Sequence, residues 1–204
     1  MISALARVIL IMVSQLIKQG IRKSLLAATA LLTIVCAPAH ADEQMHWQSP
    51  AFELADSDGQ MLHYPDDLSG VTIVLFWASW CPYCKALMPH LQSIVDEYEG
   101  EIPILALNFR DDEDPRIYIS EYGFDFRLFP EGDPVAKLWK VRATPGLFLV
   151  DKAGLVVFSN YDIPEIANPR ETAEEAGHMK NYQKAARKAP FWAAQLRLAI
   201  DRTR

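Results

Sequence analysis

Residues 71–77, VTIVLFW, form one unbroken β-branched and aromatic run. Such a run predicts a strand buried on both faces, as in a parallel or mixed sheet with cover on each side. Residues 78–82, ASWCP, break the run into a helix. Along 85–98, the apolar Leu87, Met88, Leu91, Ile94, Val95 and Tyr98 recur at steps of three and four, which is helical spacing, and Gly100 ends it. Residues 102–107 predict a second apolar strand. Asp114 followed by Pro115 reads as an N-cap with proline at the first helical position. The short helix it opens carries Ile117, Tyr118 and Tyr122 and stops at Gly123. Residues 126–129 read as a brief strand, and Asp133-Pro134 opens a helix through Trp139. Residues 147–150 and 155–158 flank DKAG, a hairpin signal. Upstream, 52–55 reads as a short strand and Asp58-Gly59 as a hairpin turn. Strands alternating with helices and ending in a hairpin predict an α/β sandwich with a mixed sheet. Phe76, Trp77 and Trp139 are expected in its core.

The two ends of the chain read differently. Residues 1–41 hold Arg7, Lys18, Arg22 and Lys23 and no acid. A positive flank at Arg22-Lys23, an apolar run over 25–35 and an Ala39-His40-Ala41 exit match a secretory signal peptide cleaved after Ala41. An uncleaved anchor facing the periplasm is the alternative; lipidation at Cys36 is disfavoured by the bulky Val35. Removal leaves 16 basic and 26 acidic residues in the remaining 163, a formal charge of −10. The whole chain's formal net charge of −6 argues against a general nucleic-acid binder. At the other end, 163–170 carries two prolines and reads as a loop. Residues 171–204 are helix-forming, with Pro190 expected between two helical stretches. Phe191, Trp192, Leu196 and Ile200 would give the last stretch an apolar face docked on the core. The expected division is a signal segment at 1–41, a domain at 42–160 and a helical extension at 161–204.

Of the three cysteines, Cys36 would leave with the signal, so the exported chain keeps Cys81 and Cys84 alone. A disulfide across two intervening residues closes a tiny loop and gains little as a structural staple. A CxxC in an exported chain therefore points to redox chemistry or metal binding. The pair falls between a buried strand and an amphipathic helix, which puts Cys81 at a helix N-terminus. There, free N–H groups and the helix dipole favour thiolate over thiol, and CxxC cysteines can have pKa values as low as about 3.5–7.5. Cys84, one turn on, is expected to be less exposed and able to attack a mixed disulfide formed at Cys81. Before the 147–150 strand, Ala143-Thr144-Pro145-Gly146 can hold a cis peptide bond and leave backbone groups free for an extended substrate.

These residues carry a resemblance. The run from Leu75 to Lys85, LFWASWCPYCK, with Pro89 in the following helix and Thr144-Pro145 before FLVD, resembles the thioredoxin superfamily. From Phe52 to about Ser159 the chain is similar to the TlpA/ResA-type exported thiol–disulfide oxidoreductases, and 108–131 is similar to that branch's insertion. The resemblance implies a thioredoxin-like three-layer sandwich with a mixed central sheet, a TlpA-type insertion and the C-terminal helical extension. It also implies a nucleophile at Cys81, a resolving cysteine at Cys84 and a cis-proline at Pro145. Thr144 and Pro145 would dock the substrate backbone, with Trp80, Pro82 and Tyr83 at the rim.

Two departures from the relatives stand out. Leu75 and Leu87 occupy positions where relatives place proton-transferring acids, so no base is evident for Cys84. The Pro82-Tyr83 dipeptide resembles that of glutaredoxins and some periplasmic disulfide-bond proteins. The expected activity is thiol–disulfide exchange with partner proteins, in the reducing direction, which the resemblance ties to cytochrome c maturation. Oxidation or isomerisation is the alternative within the enzyme class. A metallochaperone using Cys81 and Cys84 as ligands is the alternative outside it. Expected partners are proteins with thiols or disulfides and a membrane or periplasmic redox partner; a membrane itself enters only with an uncleaved N-terminus. No cofactor or structural metal is called for: His90 lies on the helix after the CxxC, but a zinc site needs further ligands nearby. Asp111 to Asp114 reads as a solvated loop and cap. A peroxidase would need its reactive cysteine after a Pro and a Thr that this chain lacks.

Overall fold

The structure is a computed structural model that describes residues 46–163 and 180–204. The signal segment with Cys36, its cleavage point, most of the two-proline loop and residues 171–179 lie outside the described residues. Contacts divide the chain into units 1–43 and 44–204, and every described residue belongs to the second.

The elements are β1 (Trp47–Gln48), β2 (Phe52–Ala55), β3 (Met61–Tyr64), β4 (Thr72–Trp77), α1 (Pro82–Glu97), β5 (Ile104–Asn108), α2 (Pro115–Tyr122), β6 (Arg127–Phe129), α3 (Asp133–Leu138), β7 (Gly146–Val150), β8 (Leu155–Ser159) and α4 (Asn181–Thr203). Six strands make one sheet in the order β1-β8-β7-β4-β5-β6, and β2 pairs with β3 in a separate hairpin. β4, β5 and β6 run parallel, while β7 pairs antiparallel with β4 and β8, and β1 antiparallel with β8. The sheet is mixed, as the strand–helix alternation predicts, and β4 lies inside it with every residue buried.

Alternation along β4 divides the core. Ile73, Leu75 and Trp77 pack with Leu87, Leu91 and Ile94 of α1 and Leu196 and Ile200 of α4. Val74 and Phe76 face the other way, toward Trp139, Phe148 and the β2–β3 hairpin. Trp139 centres that second layer: its ring lies 5.5 Å from Phe76, 5.5 Å from Tyr64 and 5.6 Å from Phe148. Its indole N–H donates to the Pro50 carbonyl at 3.1 Å. Local signals in the sequence also hold. The Asp114 carboxylate accepts from the Arg116 N–H at the start of α2, and Gly123 closes that helix at φ 65°.

The C-terminal segment corrects one expectation. Pro190 does not separate two helices; it lies inside the continuous α4. Proline removes one N–H from a helix interior and crowds the preceding turn. Pro190 and Ala186, one turn before it, are both exposed, so the carbonyl left without its helical donor faces water. The buried stripe is also different. It consists of Ala185, Ala189, Ala193, Leu196, Ala199 and Ile200, whereas Phe191 and Trp192 are half-buried. Small side chains let α4 lie close along α1. The Tyr98 hydroxyl donates to Asp201 at 2.8 Å, and the guanidinium of Arg197 meets Glu97 at 2.6 Å. Among the described residues no helix is long and apolar enough to cross a membrane.

Leu196 is fully buried between α4 and the sheet. Leu196→Ala should lower unfolding stability by about 2–5 kcal/mol, as large-to-small core changes do. Urea unfolding should keep a single transition. An unchanged midpoint would show that α4 is not docked as described.

Candidate active site

β4 delivers the chain to the site. Beyond Trp77 the buried Ala78 accepts the Cys81 N–H at 3.1 Å, turning the chain into α1. Cys81 is the N-cap of α1, and Pro82 fills the first helical position, where no N–H is needed. The Cys84 N–H points at Cys81 Sγ at 3.2 Å. Both cysteines are free thiols. Cys81 is 2% exposed and Cys84 0%, so the expected order of exposure holds but the first cysteine is itself well covered.

The two thiols are driven apart electrostatically. The Cys84 thiol donates to Cys81; burial opposes ionisation, but the Thr144 hydroxyl and the backbone N–H groups of Cys84 and Tyr83 add further donors. Together they bring Cys81 down to about 6. Burial, then the bond to Cys81 and its charge, push Cys84 well above an ordinary thiol. Among the described residues no carboxylate acts on Cys84, and Leu75 and Leu87 are both fully buried apolar core.

The opposite wall is the loop before β7. The Thr144–Pro145 peptide is cis. Asn160 braces it: its amide donates to the Pro145 carbonyl at 2.9 Å and its carbonyl oxygen accepts from the Leu147 N–H at 2.9 Å. The Tyr161 hydroxyl donates to the Ala143 carbonyl. Gly146 is required by space, since a Cβ there would stand 2.9 Å from the Tyr161 oxygen and 3.2 Å from Val141.

A third group clamps the entry turn. The Asp111 carboxylate accepts from the Ser79 N–H at 2.5 Å, the Ser79 hydroxyl at 2.8 Å and the Asn108 amide at 2.8 Å. Burial works against its charge, yet the bonds from Asn108 and Ser79 hold its carboxyl below the usual range. The expectation of a solvated Asp111 is therefore corrected: it is a half-buried anchor, while Asp114 keeps the predicted capping role. Trp80, 58% exposed, is held by its indole N–H on the Arg110 carbonyl at 2.7 Å.

The structure thus brings together Cys81, Cys84, Pro82, Tyr83 and Thr144, with Pro145 in the same wall and Trp80 on the outer side of the turn. Sequence reading missed Asn108, Asp111, Asn160 and Tyr161. The one sequence signal for them was the polar Asn at the end of an apolar strand, at 108 and again after β8. Lys85 is exposed, with its Nζ 5.4 Å from the centre of the Tyr118 ring. Among the described residues, no group of three His, Cys, Asp or Glu side chains gathers in metal-binding geometry.

A profile of the AhpC/TSA family matches residues 46–159. The thiol:disulfide interchange protein DsbE homolog of Paracoccus denitrificans is 35% identical over 102 residues, which cover 48% of this chain and 52% of that protein. The thiol-disulfide oxidoreductase ResA of Bacillus thuringiensis is 30% identical over 119 residues, 56% of this chain and 68% of that one. The chain thus spans about half the length of the first relative and about two thirds of the second. Among solved structures, the thioredoxin domain of a thiol-disulfide oxidoreductase from Bacteroides vulgatus superposes with a TM-score of 0.50 at 21% identity, covering 56% of this chain and 86% of that one. That likeness shows the shared thioredoxin-like fold.

A thiol lowered from 9.0 to about 6 stabilises the reduced protein above pH 9, and this contribution is lost as pH falls through about 6. Alkylation of the reduced protein by iodoacetamide should therefore rise with a midpoint near 6 and modify Cys81 alone. Thr144→Val should move the midpoint up by about one pH unit, the worth of about one hydrogen bond to a charged group. A midpoint of the unaltered protein near that of a free thiol would contradict the geometry.

Proposed function

The chain belongs to the AhpC/TSA family of thioredoxin-like proteins, and we propose that it is an exported thiol–disulfide oxidoreductase working through Cys81 and Cys84. One observation carries this reading: a thiolate-favouring Cys81 at a helix N-cap, one turn from a buried thiol held protonated. The Cys81 thiolate attacks one sulfur of a substrate disulfide. A Cys81–substrate disulfide forms, the substrate S–S bond breaks, and the first substrate thiolate leaves. Cys84 then gives its proton to that thiolate and attacks the Cys81 sulfur. The Cys81–Cys84 disulfide forms and the second substrate thiolate departs. The substrate has gained two electrons and the protein has lost two. The reverse sequence oxidises a dithiol substrate.

Within this reading, Thr144 and Pro145 dock the substrate backbone beside Cys81, while Trp80, Pro82 and Tyr83 shape the rim. Residues 1–41 direct export and are removed after Ala41. Residues 42–160 form the redox domain, and 161–204 a C-terminal extension whose helix α4 packs against it. The working compartment is the periplasm, and the substrates are proteins bearing disulfides or thiols. The names of the DsbE and ResA relatives support disulfide exchange. Reduction of partner proteins, with cytochrome c maturation as its setting, is the direction proposed first.

The oxidising or isomerising direction has one observation in its favour. A stabilised Cys81 thiolate stabilises the reduced protein, and that makes a pair more oxidising. At about 30 mV per 1.4 kcal/mol, a modest change in thiolate stabilisation decides between the two directions.

Cys84→Ser expressed in the exporting cell should accumulate mixed disulfides through Cys81, visible as bands that collapse on reduction. Cys81→Ser should give none, and should lower insulin reduction by the unaltered protein's full catalytic increment. Absence of trapped species, together with stoichiometric copper or zinc in anaerobically purified protein, would replace the enzyme with a metal carrier.

A further inference from the structure

The family profile ends at residue 159, yet α4, at 181–203, reaches the turn that carries the cysteines. The Trp192 ring lies 6.2 Å from the Tyr83 ring, centroid to centroid, with the planes tilted by 40°. Both side chains are half-buried and pack on the core cluster that contains Cys81 and Cys84. Rings at this separation attract one another beyond simple burial. Trp192 is itself well seated, because Ala189, Ala193 and Leu196 around it on α4 are buried.

Tyr83 stands between the two cysteines in the first turn of α1. Its backbone N–H is one of the donors that meet the Cys81 sulfur. That donor is aimed only as well as residue 83 is held. The turn is tied upstream, where Asp111 grips Ser79 and the Arg110 carbonyl grips Trp80. At residue 83, besides packing on the core cluster, the side chain has a ring contact from α4.

We propose that Trp192 is a positioning residue of the redox centre: it holds Tyr83, and Tyr83 holds the turn from Cys81 to Cys84. The proposal deepens the dithiol reading above and rests on it. Trp192 acts through Tyr83 and not on the sulfur. The donors at Cys81 favour the dithiol over the disulfide. Without the Trp192 ring the turn loosens, part of that preference is lost, and the pair becomes more reducing. The C-terminal helix thereby sets the potential of a site built by a different part of the chain.

The test is the equilibrium of the full-length protein with reduced and oxidised glutathione at pH 7. Two protein thiols become a disulfide as one oxidised glutathione takes up two electrons and gives two glutathione thiols. Acid quenching, alkylation and intact mass read the two protein forms. Trp192→Ala should favour the disulfide at least threefold over the unaltered protein, about 14 mV at about 30 mV per tenfold. Trp192→Phe, which keeps a ring, should stay within about twofold. Tyr83→Leu should shift the equilibrium in the same direction, and adding Trp192→Leu to it should add nothing, the signature of one coupled pair. Ile200→Ala controls for general loosening of α4: Ile200 is buried eight residues on, about 12 Å along the helix. It should lower the melting temperature and leave the equilibrium in place. Equal equilibria for Trp192→Ala and the unaltered protein overturn the proposal. So does an equal shift from Ile200→Ala, or full additivity with Tyr83→Leu. If the unaltered protein forms no Cys81–Cys84 disulfide with glutathione, the dithiol reading itself falls and takes the proposal with it.

Discussion

A strand without one exposed side chain has to be covered on both faces, and the covering of β4 organises the rest of the molecule. Its odd residues, Ile73, Leu75 and Trp77, take α1 and α4; its even residues, Val74 and Phe76, take Trp139 and the β2–β3 hairpin. Leu, Ile and aromatic side chains at this depth contribute about 1.5–3 kcal/mol each by burial. That supply of apolar area holds the C-terminal end of β4 rigid, and the cysteines begin four residues beyond it. The site is thus placed by hydrophobic packing and only then tuned by polar groups.

The tuning is a contrast between two identical side chains. Cys81 collects donors from a thiol, a hydroxyl and two backbone N–H groups, whereas Cys84 meets burial and a neighbouring negative charge. Nothing intrinsic to cysteine separates them; position within one helical turn does. Replacing acids by Leu75 and Leu87 keeps the contrast steep, since a nearby carboxylate able to take the Cys84 proton would ease its removal. Burial and the neighbouring Cys81 thus keep Cys84 in the thiol form.

What could be read from the sequence was what depends on local pattern. The apolar run of β4, the three-and-four spacing of α1, the Asp114 cap with Gly123 at its far end and the β7–β8 hairpin all need only neighbours within a few residues. The CxxC at a strand–helix junction was legible for the same reason. What escaped depends on partners far along the chain. Asp111 reaches Ser79 across 32 positions, and Asn160 reaches Pro145 across 15. Neither leaves a periodic trace. Pro190 misled because proline usually interrupts a helix; the exposure of Ala186 makes it tolerable. The buried stripe of α4 was hidden because alanine carries little hydropathy, and close approach, not large side chains, is what it supplies.

The flanks of the main sheet are short. β1 contributes Trp47–Gln48 and β6 only Arg127–Phe129, and Arg127 is turned to the Asp56 carboxylate at 2.8 Å. Unpaired strand edges are templates on which other chains can add, and brevity with a paired charge blunts them. Under the proposed function, cysteine-bearing protein chains come close to this surface. The short flanks of the main sheet give such chains little ladder to join, which leaves the loop at Thr144–Pro145 as the proposed place for backbone contact.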